Sequence, residues 1–205
     1  MYGHIERPRH WASHLLRIRE LQARTGGFTE FVPLPYVHME APMYLKGKSR
    51  SGPSFREAVL MHSVARLVLH GYINNIQCSW VKMGQQGARL CLQAGANDVG
   101  GTLMNESITR AAGALHGQEW SPGDIEQTLR DLGRTPKMRT TLYDAAGSER
   151  HDSAFCAAGL AEVQNAPAAK HQRSKRLDQI ALVGESALHM ATVSAGYAPG
   201  RKDSR

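Results

Sequence analysis

The sequence predicts an α/β fold of parallel strands with covering helices, on three observations. Stretches with apolar residues at helical spacing alternate strictly with short apolar runs that end in polar groups. Helix starts and stops punctuate the boundaries between them, as glycines, prolines and a capping box. Strands that always have a helix between them need crossover connections, and crossovers make parallel pairs.

Met1-Tyr2-Gly3-His4 reads as the end of a first strand whose earlier residues and preceding elements are absent. A helix follows over residues 8–24, with Trp11, Leu15, Ile18 and Leu21 on one face, Pro8 in its first turn and Gly26-Gly27 as its stop. Thr29-Glu30-Phe31-Val32 is the second strand, closed by Pro33-Leu34-Pro35. The polar stretch 36–53 is longer than a usual βα connection and is a candidate active-site loop. Ser54 and Glu57 have capping-box spacing and open a helix lined by Phe55, Ala58, Val59, Val64, Ala65 and Val68, which Gly71 ends. Residues 76–81 form the third strand, 87–94 a shorter helix stopped by Gly95, and 98–103 the fourth strand. Ser121-Pro122 begins a helix with Ile125, Leu129 and Leu132 on one face. Thr140-Thr141-Leu142-Tyr143 is expected to be a final strand. From Asp144 onward the pattern dissolves into Ala, Gly, Ser, His and Arg, with an amphipathic turn around 177–190. Two domains are therefore expected: 1–143, about four parallel strands of a partial barrel, and 144–205, a low-order basic tail.

The net charge of +7 is spread over several basic runs, at 46–50, 134–139 and 170–176, with no single helical face and no interleaved aromatics. That distribution speaks against a nucleic-acid surface. The three cysteines, Cys78, Cys91 and Cys156, are far apart, odd in number and form no C-x-x-C pair, which argues against a secreted disulfide scaffold. No window approaches the ~18 apolar residues of a membrane helix. A soluble, cytoplasmic protein is expected.

In a parallel barrel, ligands are held at the C-terminal ends of the strands. Those ends nominate His4 and Glu6, then His38 and Glu40, then Gln77, Trp80 and Lys82, then Asp98, Asn105 and Glu106. Each has a plainer role beside it: capping or surface for His4, a solvated loop for His38, core packing for Trp80, a capped turn for Asp98, a helix-dipole contact for Glu106. Gly100-Gly101 lets a backbone approach a ligand closely, and tight packing would use it equally well. His10 and His14 have i, i+4 spacing but lack the intervening Glu of H-E-x-x-H. No metal site is assigned.

Longer strings then carry a family resemblance. Met1-Tyr2-Gly3-His4, the run from Gly26-Gly27-Phe28-Thr29-Glu30 through Tyr36-Val37-His38-Met39-Glu40-Ala41-Pro42, Asn75-Ile76-Gln77 with Ser79-Trp80-Val81-Lys82-Met83-Gly84, and Gly100-Gly101-Thr102-Leu103-Met104-Asn105-Glu106-Ser107-Ile108 resemble the C-terminal part of the FO synthase family. His116-Gly117-Gln118-Glu119 and Arg134-Thr135-Pro136 with Arg139-Thr140-Thr141-Leu142-Tyr143 continue the resemblance, which covers about residues 1–143. It implies the tyrosine-handling radical S-adenosylmethionine module of coenzyme F420 deazaflavin biosynthesis. Such a module is an (α/β) barrel that joins a tyrosine fragment to 5-amino-6-(D-ribitylamino)uracil using S-adenosylmethionine and a [4Fe-4S] cluster. By that resemblance His4, Glu30, His38, Gln77, Trp80, Lys82 and Glu106 are the substrate-binding set, and Gly100 and Gly101 the cofactor-binding positions. No general base is assigned.

The family holds its cluster with a C-x-x-x-C-x-x-C loop, which is absent from this sequence. The cluster is therefore not expected to bind, because its thiolates must converge while one iron stays open. A fragment inactive on its own is expected, one that self-associates or is completed by an N-terminal half. The rival reading is a noncatalytic binding or assembly module completed by a second polypeptide.

Overall fold

The computed structural model describes residues 1–103 and 106–159. Four extended segments pair in parallel: Tyr2 with Pro35, Phe31 with Ile76, and Gln77 with Asp98. Each pairing is a single bridge held by a few backbone bonds. Tyr36 N–H donates to Tyr2 O at 2.9 Å, Gln77 N–H to Phe31 O at 3.0 Å and Cys78 N–H to Asp98 O at 2.7 Å. The chain is thus an α/β structure rich in helix, with short strand contacts rather than long ladders.

The helices among the described residues are α1 (Pro8–Thr25), α2 (Pro42–Leu45), α3 (Phe55–Leu69), α4 (Trp80–Gln93), α5 (Ile108–Ala111), α6 (Pro122–Asp131) and α7 (Ser148–Cys156). α1 starts at its proline, and Gly26 closes it in the left-handed conformation, its N–H returning to Gln22 O. α3 has the expected reciprocal box: Ser54 Oγ accepts from Glu57 N–H at 3.2 Å, and Glu57 Oε2 accepts from Ser54 N–H at 2.7 Å.

Two apolar clusters cover one face of the pairing segments. Tyr2, Leu15, Met61, Ala65, Leu69, Ile73 and Ile76 join α1 and α3 to the strands, with Trp11, Ile18 and Phe31 against them. Cys78, Trp80, Val81, Ala88, Cys91, Leu92, Ala96, Val99 and Trp120 form the second, onto which α6 lays Ile125, Leu129 and Leu132. The buried face of α3 is Ala58, Met61, His62, Ala65 and Leu69, so the stripe lies about one position away from the expected Phe55 and Val64, which are exposed.

Two expectations about elements are corrected. The third strand stops short of Trp80, which with Val81 and Lys82 opens α4 behind Ser79 as N-cap. The run 76–83 is continuously apolar enough to read either way, and Gly84 (φ 69°, ψ 171°) breaks the helix early and hides its first turn from a periodicity argument. Thr140-Thr141-Leu142-Tyr143 is a turn, not a strand: Tyr143 N–H donates to Thr140 O, and Arg139 pairs antiparallel with Ala145 across it. Its β-branched residues favoured a strand, but a local closure won. The long loop 36–53 contains the short helix α2, and α7 forms beyond Asp144, packed against α6. The expected turn around 177–190 lies outside the described residues.

Candidate functional site

Parallel segments send their C-terminal ends to one side. There α4 brings Lys82 to the loop before α5. Lys82 Nζ donates to Thr109 Oγ1 at 3.0 Å, and Thr109 donates its N–H to Glu106 Oε1 at 2.9 Å and its hydroxyl to the same oxygen at 3.2 Å. Burial lowers the pKa of Lys82, and the nearby Glu106 charge opposes that shift. Glu106 thereby anchors the first turn of α5, the local role weighed for it, and also places a carboxylate beside a half-buried amine.

His4 sits at the end of the first segment with Nδ1 3.1 Å from Glu6 Oε2 and its ring 5.6 Å from that of Tyr36. Burial alone would raise the pKa of Glu6. Hydrogen bonds from Gly3 N–H, Ile5 N–H and Trp11 Nε1, the last at 2.7 Å, overcome this and hold it down at about 2. His38 packs edge-on against Tyr44 at 4.5 Å. Trp80 is buried, donates Nε1–H to Gly101 O at 3.0 Å and meets Trp120 edge to face at 5.8 Å, a packing role. Gln77 fills the space at Gly100, where a Cβ would stand 3.2 Å from its Nε2; Gly101 has nothing within 4 Å. Only the second glycine therefore offers open backbone. Asn105 lies outside the described residues.

Glu30 belongs to a different constellation. It precedes its strand, and Tyr143 reaches back to it: the Tyr143 hydroxyl lies 2.6 Å from both Glu30 Oε2 and Asp98 Oδ2. Arg139 contacts Asp98 closely, lies 3.6 Å from Glu30 and stacks its guanidinium 4.0 Å over the Tyr143 ring. Asp98 also accepts from Gly100 N–H at 2.9 Å. Burial works to raise the pKa of Asp98, but the bonds from Tyr143, Arg139 and Gly100 lower it on balance. Burial first, and then the two carboxylates, push the Tyr143 phenol up. Tyr143 itself has φ 70°, a left-handed conformation rare for an aromatic residue, which this knot holds in place. Beside it a cavity of ≈ 670 Å³ runs along Asp98, Gly100 and Gly101, bounded by Ile125, Arg134 and Phe155. Its size suits a small molecule. Sequence reasoning missed Arg139 and Tyr143 as partners, because a strand assignment pointed them nowhere in particular.

Among the described residues one group could hold a metal: His62, Cys78 and Cys91, all buried. Cys156 is exposed on α7, away from that core. This arrangement does not fit a [4Fe-4S] cluster, which takes its thiolates from one short loop in the resembled family; here two sulfurs and an imidazole sit in closed packing.

Comparison with known proteins matches residues 25–151 to a family described as the CofH/MqnC C-terminal region. The FO synthase of Mycobacterium tuberculosis is 50% identical over 143 residues, 70% of this chain and 17% of that protein. The FO synthase of Streptomyces coelicolor is 50% identical over 154 residues, 75% of this chain and 18% of that protein. A Methanopyrus kandleri protein named 5-amino-6-(D-ribitylamino)uracil–L-tyrosine 4-hydroxyphenyl transferase is 54% identical over 144 residues, 70% of this chain and 39% of that protein. The chain spans well under half the length of these relatives.

Proposed function

Since the chain belongs to the CofH/MqnC C-terminal family, we propose that it supplies the substrate-facing wall of an FO synthase-type barrel. Its four parallel segments would be neighbouring strands of that barrel, and further strands from an N-terminal half would continue the sheet beyond Tyr2 and Asp98. The observation that carries the reading is the amine–hydroxyl–carboxylate set Lys82, Thr109 and Glu106, gathered where the strands end and held by internal hydrogen bonds. A half-buried amine whose pKa is lowered is a candidate for binding chemistry. Lys82 would donate to a carboxylate or ring carbonyl of tyrosine or 5-amino-6-(D-ribitylamino)uracil. His4 and His38 would face the rest of the ligand from the neighbouring strand ends.

The radical chemistry of the family is supplied by its cluster and S-adenosylmethionine, and no donor set among the described residues fits the cluster. Anaerobic reconstitution of the isolated chain with iron and sulfide is accordingly expected to leave it without the broad cluster absorption. The direct test is complementation. The chain is combined with a polypeptide carrying the N-terminal part of the M. kandleri relative, and the adduct of the tyrosine fragment with 5-amino-6-(D-ribitylamino)uracil is followed by mass spectrometry. Product is expected from the pair and not from either part, and Lys82→Met in the pair should cut the rate while leaving the melting temperature within a few degrees. Equal product from the Lys82→Met pair would overturn the assignment of Lys82, and no product from the unsubstituted pair would overturn the wall itself.

A further inference from the structure

A second cluster lies in the core between α3, α4 and the third segment. A ring nitrogen of His62 and the sulfurs of Cys78 and Cys91 lie within 4.8 Å of one another. All three residues are fully buried. Two buried cysteines alone would be ordinary small apolar packing. The histidine is what this explanation leaves out. Its Nδ1 lies 2.8 Å from Ala58 O on its own helix, and a carbonyl can only accept, so Nδ1 carries the proton. Nε2 has no partner at geometric hydrogen-bond distance, and the polar side chain the imidazole interacts with is the Cys91 thiol. An imidazole that donates one nitrogen to a backbone carbonyl and offers the other is the posture of a metal ligand, whose tautomer and ring direction are set in this way.

We propose that His62, Cys78 and Cys91 form a binding site for a thiophilic divalent cation of the zinc class, which staples α3 and α4 to the strand segment. Binding releases two protons: the ion plus two thiols and one neutral imidazole gives two thiolate–metal bonds, one nitrogen–metal bond and two protons to solvent. The resulting centre is electrically neutral, and this matters in a closed apolar core, where a net charge would carry a heavy desolvation cost. Sulfur and imidazole together select zinc or a close analogue over magnesium or calcium, which prefer oxygen. Three protein ligands leave a fourth position, which a water can take. Nothing in this proposal depends on the substrate role of the strand ends, and the site is not a surrogate for an iron–sulfur loop.

The test uses the full chain, purified with its thiols reduced and stripped of metal, then loaded with zinc or cobalt and passed through gel filtration. About one ion per chain should be retained, and cobalt should give thiolate-to-metal charge transfer in the near ultraviolet with strong visible bands. Cys78→Ser, Cys91→Ser and His62→Gln should each reduce retention at least tenfold, and Cys156→Ser should leave it unchanged. Should the core variants fail to fold, X-ray absorption on the zinc-loaded native chain decides. Two sulfurs near ~2.3 Å with nitrogen near ~2.0 Å support the site. A shell of nitrogen and oxygen alone places the ion on surface histidines and overturns it, as does loss of metal on gel filtration or retention by a folded Cys78→Ser chain.

Discussion

Replacing Tyr143 by phenylalanine removes one hydroxyl and leaves the ring under Arg139 in place. The lost group donates its single proton to a pair of carboxylate oxygens, each 2.6 Å away. A hydrogen bond to a charged acceptor contributes roughly 1.5–3 kcal/mol. Asp98 keeps Gly100 N–H and Arg139, and Glu30 is partly open to water, so part of the loss is made good. The expected destabilisation is therefore about 2 kcal/mol, or a fall of ~4–8 °C in Tm for a chain of this size. The pH dependence gives an independent sign. The Tyr143 pKa is raised in the folded state, so its contribution is fully present below the unfolded value of about 10 and is lost as pH rises past it. Thermal melts of both proteins from neutral pH to about pH 11 test this: the wild type should lose stability more steeply above pH ~10 than Tyr143→Phe. Tyr2 is raised as well, but it is common to both proteins and drops out of the difference. A Tm within about 1 °C of wild type at neutral pH, with parallel alkaline limbs, would refute the idea that this hydroxyl ties the C-terminal turn to the strands.

The Glu6→Gln chain should be less stable at neutral pH and should show a flatter acid limb. Glu6 has its pKa lowered to about 2, so its contribution is present above the ordinary carboxyl range near ~4.3 and is lost as pH falls towards 2; acid titration of stability checks this. Ser54→Ala opens the capping box of α3 and should cost about 1 kcal/mol, read as a lower urea midpoint with an unchanged slope. Gly3→Ala should be the most damaging of the set. Gly3 has φ +93°, and a Cβ there would stand 2.2 Å from Pro53 Cδ, so the loop that packs on the first segment must shift; loss of the cooperative melt or a drop in soluble yield is the expected readout.

The helix boundaries were legible because their signals are local. The proline and left-handed glycine of α1, the Ser54–Glu57 box of α3 and the Ser121-Pro122 start of α6 each lie within one helical turn of the boundary they set. Where local signals conflict, the reading failed. Ser79-Trp80-Val81-Lys82-Met83 is apolar enough for a strand, and Gly84 cuts its helix to one turn before the periodicity shows. The sites were less legible because they are assembled over distance. Tyr143 meets a carboxylate from near the start of the chain, and His62, Cys78 and Cys91 share no motif spacing. One part of the site was recoverable from chain direction alone. Glu30 and Glu106 look alike in sequence, as acids beside apolar runs. Glu30 precedes its strand and Glu106 follows one, so parallel pairing sends them to opposite sides of the sheet. The first is taken up by Arg139 and Tyr143, and the second joins Lys82 through Thr109 in the set proposed to face a ligand. Substitutions at the two should therefore part company: Glu30→Gln should act mainly on stability, and Lys82→Met, beside Glu106, mainly on binding.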